Sequence, residues 1–277
     1  MLFSDDMDPA RRTFFTVAVL GYVGSFVFTL ASLFIEAPYG KLASGKHLQV
    51  GFLKIPEIPL NPRLGWFLME LPATLSFITV YPQGTNATEP LPMFLALLFL
   101  MHYANRGFYF PYNIKVAKGQ TQNFSIIIVL FGWIVTPMHG YLSARWYSEI
   151  NTDLVNAQEF ITRPYFIVGL ILYEFGYWNT IYCEHILRNL RTGAPNEPRY
   201  KIPRGGGFEY VTNPAYFFEL VAWFGFALMT LNPGGLMVFL VSCSNLVPRA
   251  FHVHRWYKEK FGDDYPKERR VLIPYLL

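Results

Sequence analysis

The sequence predicts an all-α polytopic membrane protein with seven spanning helices, and three observations carry that prediction. Hydrophobic residues make up 52% of the 277 residues and charged residues only 15%, against about 25% charged in typical globular domains. Seven apolar stretches approach the ~20 residues needed to cross a bilayer. Threading those stretches up and down leaves 19 of the 23 lysine and arginine residues on one side.

The first stretch, residues 14–35, has no charge in 22 residues and follows the acidic-flanked DDMDPARR. A long apolar run behind such a flank reads as a spanning helix rather than a cleaved signal peptide. The second, 64–80, carries Glu70 and Pro72, and the third, 91–110, carries Tyr103 and Arg106 near its end. The fourth covers 124–142, and the fifth, 164–183, holds Glu174 at mid-span. The sixth, 214–231, carries Glu219, and the seventh, 234–253, carries Asn245 and Arg249. No linker or repeat divides them, so residues 1–277 read as a single integral membrane domain.

Charge placement sets the orientation. Only Arg11, Arg12, Arg145 and Arg163 fall on the lysine-poor side, and the positive-inside rule makes the other side cytoplasmic. An even number of spans would spoil this partition. Seven helices with the N-terminus outside and the C-terminus in the cytoplasm satisfy it. The formal net charge of +4 then needs no nucleic acid, because juxtamembrane basic residues account for it. Cys183 and Cys243 both lie in predicted spans, which suggests no disulfide framework. The histidines at 47, 102, 139, 185, 252 and 254 are scattered without HExxH, CxxC or His-box spacing, and no metal centre is expected.

Depth makes the ionisable residues within the spans informative. Glu70 lies six residues past the cytoplasmic start of its span, about 9 Å. Tyr103 lies seven residues before the inner end of its span, about 10 Å. Arg106 is one turn nearer the cytoplasm, and Glu219, five residues into the sixth span, shares the layer. Glu184, Arg188 and Arg191, spaced i, i+4, i+7, form one stripe at the inner end of the fifth span. The inner third of the bundle thus reads as a polar cavity open to the cytoplasm, with Glu174 standing alone in the apolar remainder.

Plainer readings stand beside these. Glu70, two residues before Pro72, could satisfy backbone groups freed by a kink, although charged groups at membrane depth are functional by default. Tyr103 competes with 17 other tyrosines and by itself reads as a core or interface aromatic. The Glu184–Arg188–Arg191 stripe fits interfacial snorkelling equally well. Gly205–Gly206–Gly207 follows no strand and does not match GxGxxG, so any nucleotide is held without a Rossmann fold.

The run RYKIPRGGGFEYVTNPAYFFELVAW, the ending SNLVPRAFHVHRWYKEKFGDDYPKERRVLIPYLL, and the segments GWFLMELP and LMHYANR together resemble the membrane steroid 5α-reductase family of animals and plants. The resemblance implies a seven-helix enzyme that binds NADPH in a cytosol-facing cavity and reduces the Δ4 double bond of 3-oxo steroids. It implies that Glu70 of WFLMELP and Tyr103 of HYANR hydrogen-bond the substrate's 3-keto oxygen, with Trp66 in the same segment beside the substrate. Such a pair suits the chemistry: hydride delivered to C5 pushes charge onto the ketone oxygen, where a buried donor stabilises the enolate. Tyr103 would be the direct donor and Glu70 would orient it, protonated or sharing its proton.

For the cofactor, the resemblance implies contacts mainly within 179–277, joined by Lys41 of APYGK and by Arg106 and Lys115 around the inner end of the third span. The later contacts are Glu184 and Arg191 of CEHILRNLR, Tyr200 of RYKIPRGG, Glu219 of NPAYFFE, Asn245 and Arg249 of SNLVPRA, and His254 and Tyr257 around HRWY. Basic side chains suit the phosphates and carboxylates suit ribose hydroxyls. Three departures stand out. Cys183–Glu184 replaces the family's Ser-Asp, Thr180 stands where an Asn is expected with Asn179 one place off, and Ala215 replaces another Asn with Asn213 nearby. The expected enzyme is an NADPH-dependent 3-oxo-5α-steroid 4-dehydrogenase acting on a lipophilic steroid within membrane lipid, with no obligatory protein partner. Bacterial inner membrane and endoplasmic reticulum are equally compatible. A close relative acting on another lipid enone fits the same reading, and the nearest alternative enzyme is an isoprenylcysteine-type membrane methyltransferase using S-adenosylmethionine. The methyltransferase would have no use for a Glu70–Tyr103 pair at matched depth. A seven-helix transporter or receptor would need no basic stripe at the inner ends of its helices.

Overall fold

The computed structural model describes residues 8–32, 47–50, 53–56, 58–115, 124–190, 198 and 200–277. Each of the seven apolar stretches contributes a helix among the described residues: α1 Pro9–Ser32, α2 Pro62–Val80, α3 Pro90–Tyr103, α4 Ile126–Arg145, α5 Pro164–Asn189, α6 Pro214–Thr230 and α7 Pro233–Phe261. All but α4 open on a proline, whose missing N–H costs nothing in the first turn and whose φ is already helical. Asn61, Ser125 and Asn232 cap α2, α4 and α7 by accepting a backbone N–H two residues on. Among the described residues four helices, α1, α2, α4 and α7, are long and apolar enough to cross a membrane. α6 is apolar but 17 residues long, and α5, with 26 residues, is interrupted by Glu174 and Asn179.

Two boundaries differ from the sequence reading in an informative way. α5 and α7 run to Asn189 and Phe261, well past 183 and 253, because hydropathy marks the bilayer whereas backbone hydrogen bonding marks the helix. The chain is also not purely helical. β1 (His47–Val50) pairs antiparallel with β2 (Leu53–Pro56), and β3 (Pro59–Leu60) pairs with β4 (Phe124–Ser125), so α4 begins at Ile126. Such short pairings close loops without adding a layer.

Successive helices alternate in direction. At one end the segments after α2 and α4 are tied by Asn86 N–H to Ser148 O at 2.8 Å, and Trp146 Nε1 donates to Thr230 O at the end of α6. At the opposite end Arg63 Nε, at the start of α2, donates to Ile114 O beyond α3. The packing is closest between α5 and α6. There Gly169 and Gly176 abut the backbone at Met229 and Ala222, and Gly225 abuts Tyr173. Small residues permit such backbone approach between apolar helices.

Two local irregularities shape the interior. Pro72 lacks the N–H that would bond Leu68 O, and α4 repairs the gap: Trp133 Nε1 donates to Leu68 O at 2.8 Å and Thr136 Oγ1 to Met69 O at 3.2 Å. This answers the plainer reading of Glu70. The kink is satisfied by its neighbour, and the Glu70 carboxylate is left for other use. Secondly, α3 passes through a π-helical turn, Ala104–Tyr109, before Phe110–Asn113 resume the α-helix. Such turns displace side chains from their α-helical register and concentrate at functional sites.

Candidate active site

A chamber of about 610 Å³ lies between α1, α2, α4, α6, α7 and the end of α3. Its walls are mostly apolar, including Phe28, Phe131, Val135 and Trp223. Its ionisable and polar groups include Glu70, Tyr103, Arg106, His139, Glu219 and, on α7, Asn245, Arg249 and His252. That is the composition expected of a site for a largely apolar ligand oriented by a handful of polar contacts.

Arg106 organises one side. Its Nε lies 3.4 Å from Glu70 Oε1, its Nη1 3.4 Å from Glu184 Oε1 and its Nη2 3.3 Å from Glu219 Oε1. The guanidinium also sits over the rings of Trp66, at 4.5 Å, and Phe110, at 5.5 Å. Side chains from α2, α5 and α6 thus meet a single cation delivered by the π turn after α3. The polar layer inferred from depth therefore forms. Trp66, expected beside a substrate, takes its place in this layer against Arg106.

Tyr103 is 3% exposed, and its hydroxyl lies 2.8 Å from Nδ1 of His139 on α4. The sequence reading paired Tyr103 with Glu70. Both line the chamber, but the direct partners differ: Tyr103 meets His139, and Glu70 meets Arg106. His139 was missed because depth was counted from hydropathy ends. That ladder put it 15 residues into its span, about 22 Å from the inner end and far from Tyr103 at about 10 Å. Since α3 continues to Asn113, Tyr103 sits about 15 Å deep, near mid-bundle. A lone histidine in an otherwise apolar span was the available signal.

A second cavity of about 350 Å³ lies nearer the end marked by Lys115. Lys115, Arg188, Lys201 and Arg249 line it, with the phenols of Tyr200, Tyr216 and Tyr257, and with Glu184 and Asn213. Arg249 lines both cavities, and its Nε donates to Tyr216 Oη at 3.0 Å. Of the expected cofactor contacts, Lys115, Glu184, Tyr200, Asn213, Arg249 and Tyr257 thus border the smaller cavity, and Arg106, Glu219, Asn245 and Arg249 the larger. Lys41 and Arg191 fall outside the described residues.

Three expectations come out differently. Asn179 donates to Phe175 O and Thr180 to Gly176 O, each closing on its own helix four residues back and lining neither cavity. Ser, Thr and Asn in helices commonly do this. His254 is engaged with Thr212 Oγ1, which also meets Tyr265 Oη at 2.6 Å, so it braces the C-terminal segment behind the cavity wall. Asn213 borders the cavity, yet its Nδ2 is spent on Ala250 O at 3.0 Å and Val271 O at 3.1 Å.

Comparison with known proteins gives this arrangement a family. A family model described as 3-oxo-5-alpha-steroid 4-dehydrogenase matches residues 122–277, more than half of the chain. The chain is 37% identical over 243 residues to steroid 5-alpha-reductase DET2 of Gossypium hirsutum, covering 88% of this chain and 89% of that protein. It is 35% identical over 255 residues to 3-oxo-5-alpha-steroid 4-dehydrogenase 1 of Rattus norvegicus, covering 91% of each. Against the Homo sapiens protein of the same name it is 34% identical over 246 residues, covering 86% and 85%. These matches, spanning both the chamber and the basic cavity beside it, show that the chain belongs to the 3-oxo-5-alpha-steroid 4-dehydrogenase family.

Proposed function

We propose that this chain is an NADPH-dependent reductase of the Δ4 double bond of 3-oxo-Δ4 steroids, yielding 5α-reduced 3-oxo steroids. The observation that carries the reading is the convergence of Tyr103 and Glu70 on a predominantly apolar chamber of about 610 Å³. When bound, the dinucleotide would supply the hydride that adds to C5, and a solvent-derived proton would complete the saturation at C4 as the C3 carbonyl re-forms. The chain's own part is electrostatic. Tyr103 donates its phenolic hydrogen to the ketone oxygen as negative charge gathers there. Glu70, held by Arg106, sets the field around that oxygen. The apolar walls exclude water, which strengthens both contacts.

The donor set of the smaller cavity fits a phosphate-bearing dinucleotide. Four cationic side chains and three phenols border it, and arginine binds phosphate oxygens bidentately. Carboxylate Glu184 suits a ribose hydroxyl. Lys41 and Arg191 join this set on the strength of family resemblance alone.

Detergent-purified protein should oxidise NADPH on addition of a Δ4-3-oxo steroid and should use NADH poorly. Losing a hydrogen bond to a charged group is worth about 1.5–3 kcal/mol, so Arg249→Ala should raise the NADPH requirement about ten- to a hundredfold. Equal use of NADH and NADPH by the unmodified protein would contradict the cofactor assignment.

We also infer seven membrane crossings, with the N-terminus outside and the C-terminus cytoplasmic, supported by the positive-charge partition and the alternation of helix ends. Reporters fused after Gly84 or Asn232 should behave as external, and those at the C-terminus as cytoplasmic. A C-terminal reporter active only on the external side would overturn this topology.

A further inference from the structure

Tyr103 carries one hydrogen, and the proposed chemistry needs it inside the chamber. In the structure the hydroxyl lies 2.8 Å from His139 Nδ1, a ring nitrogen able to donate or accept according to its tautomer. If Nδ1 accepts, the phenolic hydrogen is spent on the histidine and none faces a substrate. If Nδ1 carries the hydrogen, the phenol oxygen accepts and its own O–H is released towards the chamber.

The surroundings of the imidazole choose between these states. His139 is 0% exposed, and its ring lies against Phe99 at 5.1 Å, Trp223 at 5.2 Å and Phe226 at 6.2 Å. Its Nε2 has no hydrogen-bond partner among the described residues. A hydrogen placed on Nε2 would be a donor buried in an apolar wall without an acceptor. Buried orphan N–H groups are rarer in folded proteins than under-satisfied acceptors. A hydrogen on Nδ1 has an acceptor waiting in Tyr103, and Nε2 keeps only an idle lone pair.

We infer that His139 is a positioning residue for Tyr103: its Nδ1–H donates to the phenol oxygen and thereby turns the phenolic hydrogen into the chamber. The inference rests on Tyr103 being the donor to the substrate ketone. No proton leaves the imidazole. As charge shifts from the ketone onto the phenol oxygen, the hydrogen bond from Nδ1 becomes charge-assisted and tightens. Glu70 is engaged with Arg106, whereas the phenol oxygen is in direct hydrogen-bond contact with the histidine, which is therefore the contact that fixes which way the phenol points.

Single-turnover oxidation of enzyme-bound NADPH by a Δ4-3-oxo steroid tests this. Loss of a hydrogen bond to a charged group predicts a roughly 10- to 100-fold slower turnover for His139→Leu, with NADPH binding unchanged. His139→Asn, whose Nδ2–H can stand at the position of Nδ1–H, should recover most of the rate. In a Tyr103→Phe background, His139→Leu should cause no further loss. Equal impairment of the Leu and Asn variants would assign His139 to core packing and overturn the inference. So would a Leu variant as fast as the unmodified enzyme while Tyr103→Phe is slow. A Tyr103→Phe enzyme running at the unmodified rate would instead remove the donor reading on which all of this stands. Should the Leu variant fail to fold, the ¹⁵N spectrum of labelled histidine in the unmodified enzyme decides. Nδ1 of His139 is expected to be protonated with steroid bound, and an unprotonated Nδ1 there overturns the inference.

Discussion

Tyr103→Phe is expected to slow steroid reduction by about 10²–10⁴-fold, the usual contribution of a positioned acid, while NADPH binding survives. The substitution keeps the ring, which packs on Phe99 at a centroid distance of 4.8 Å, and removes only the hydroxyl. The loss of rate should appear in the chemical step, read as single-turnover oxidation of bound NADPH, beside a separate fall in melting temperature because His139 Nδ1 loses its hydrogen-bond partner. Glu70→Gln separates two roles of the carboxyl group. A severe loss would mean that its charge or proton matters, and a mild one that shape and hydrogen bonding suffice. Turnover of Tyr103→Phe at the unmodified rate would show that another group polarises the ketone.

The largest effect on stability is expected at Arg106. Three nitrogens of one guanidinium face three carboxylates from three helices, at 3.3–3.4 Å, with the four side chains only 9–16% exposed. Removing the cation leaves those carboxylates uncompensated, and breaking a buried ion pair in this way costs about 3–5 kcal/mol. Against a total stability of roughly 5–15 kcal/mol, Arg106→Met should lie at the edge of folding. Arg106→Lys should recover little. An ammonium is a compact point charge and cannot reproduce the planar fork that divides Nε, Nη1 and Nη2 among Glu70, Glu184 and Glu219. Thermal unfolding in detergent, followed with and without NADPH, reads the difference. An Arg106→Met protein as stable as its parent would mean that helix packing alone holds this layer.

Much of this architecture was legible in the sequence, because membrane helices declare themselves by hydropathy and because charged groups at depth must find partners. Residue counting places Glu70, Tyr103, Arg106 and Glu219 in one layer. Glu70, Arg106 and Glu219 meet there, whereas Glu184, read as part of a separate stripe, joins them and Tyr103 bonds His139 instead. What counting could not supply was anything that depends on departures from ideal helix geometry. The π turn at Ala104–Tyr109 re-aims Arg106, Pro72 and Pro137 interrupt the hydrogen-bond ladders of α2 and α4, and the helix begun by α3 continues past its apolar stretch to Asn113. The extension alone moves Tyr103 from about 10 Å to about 15 Å deep, which helps to hide the approach of His139. Pro72 marks Leu68 O as the carbonyl without a donor, but only the packing of α4 on α2 shows that Trp133 supplies one. Asn179 and Thr180 illustrate the converse error: a polar residue near an expected motif can be occupied by its own helix.

The hydrogen bonds of Asn213 have a consequence for biogenesis. Its acceptors lie 37 and 58 residues further along the chain, at Ala250 and Val271. A nascent chain that has just made α6 therefore holds an amide destined for burial with nothing to bind. It gains its first acceptor when α7 arrives and its second only when the segment beyond α7 folds back along Val211 and Arg270. Because Thr212, Asn213 and Arg249 all border the smaller cavity, that cavity is completed last. On the proposed cofactor role of that cavity, capture of the dinucleotide would accordingly follow synthesis of α7 and the segment beyond it.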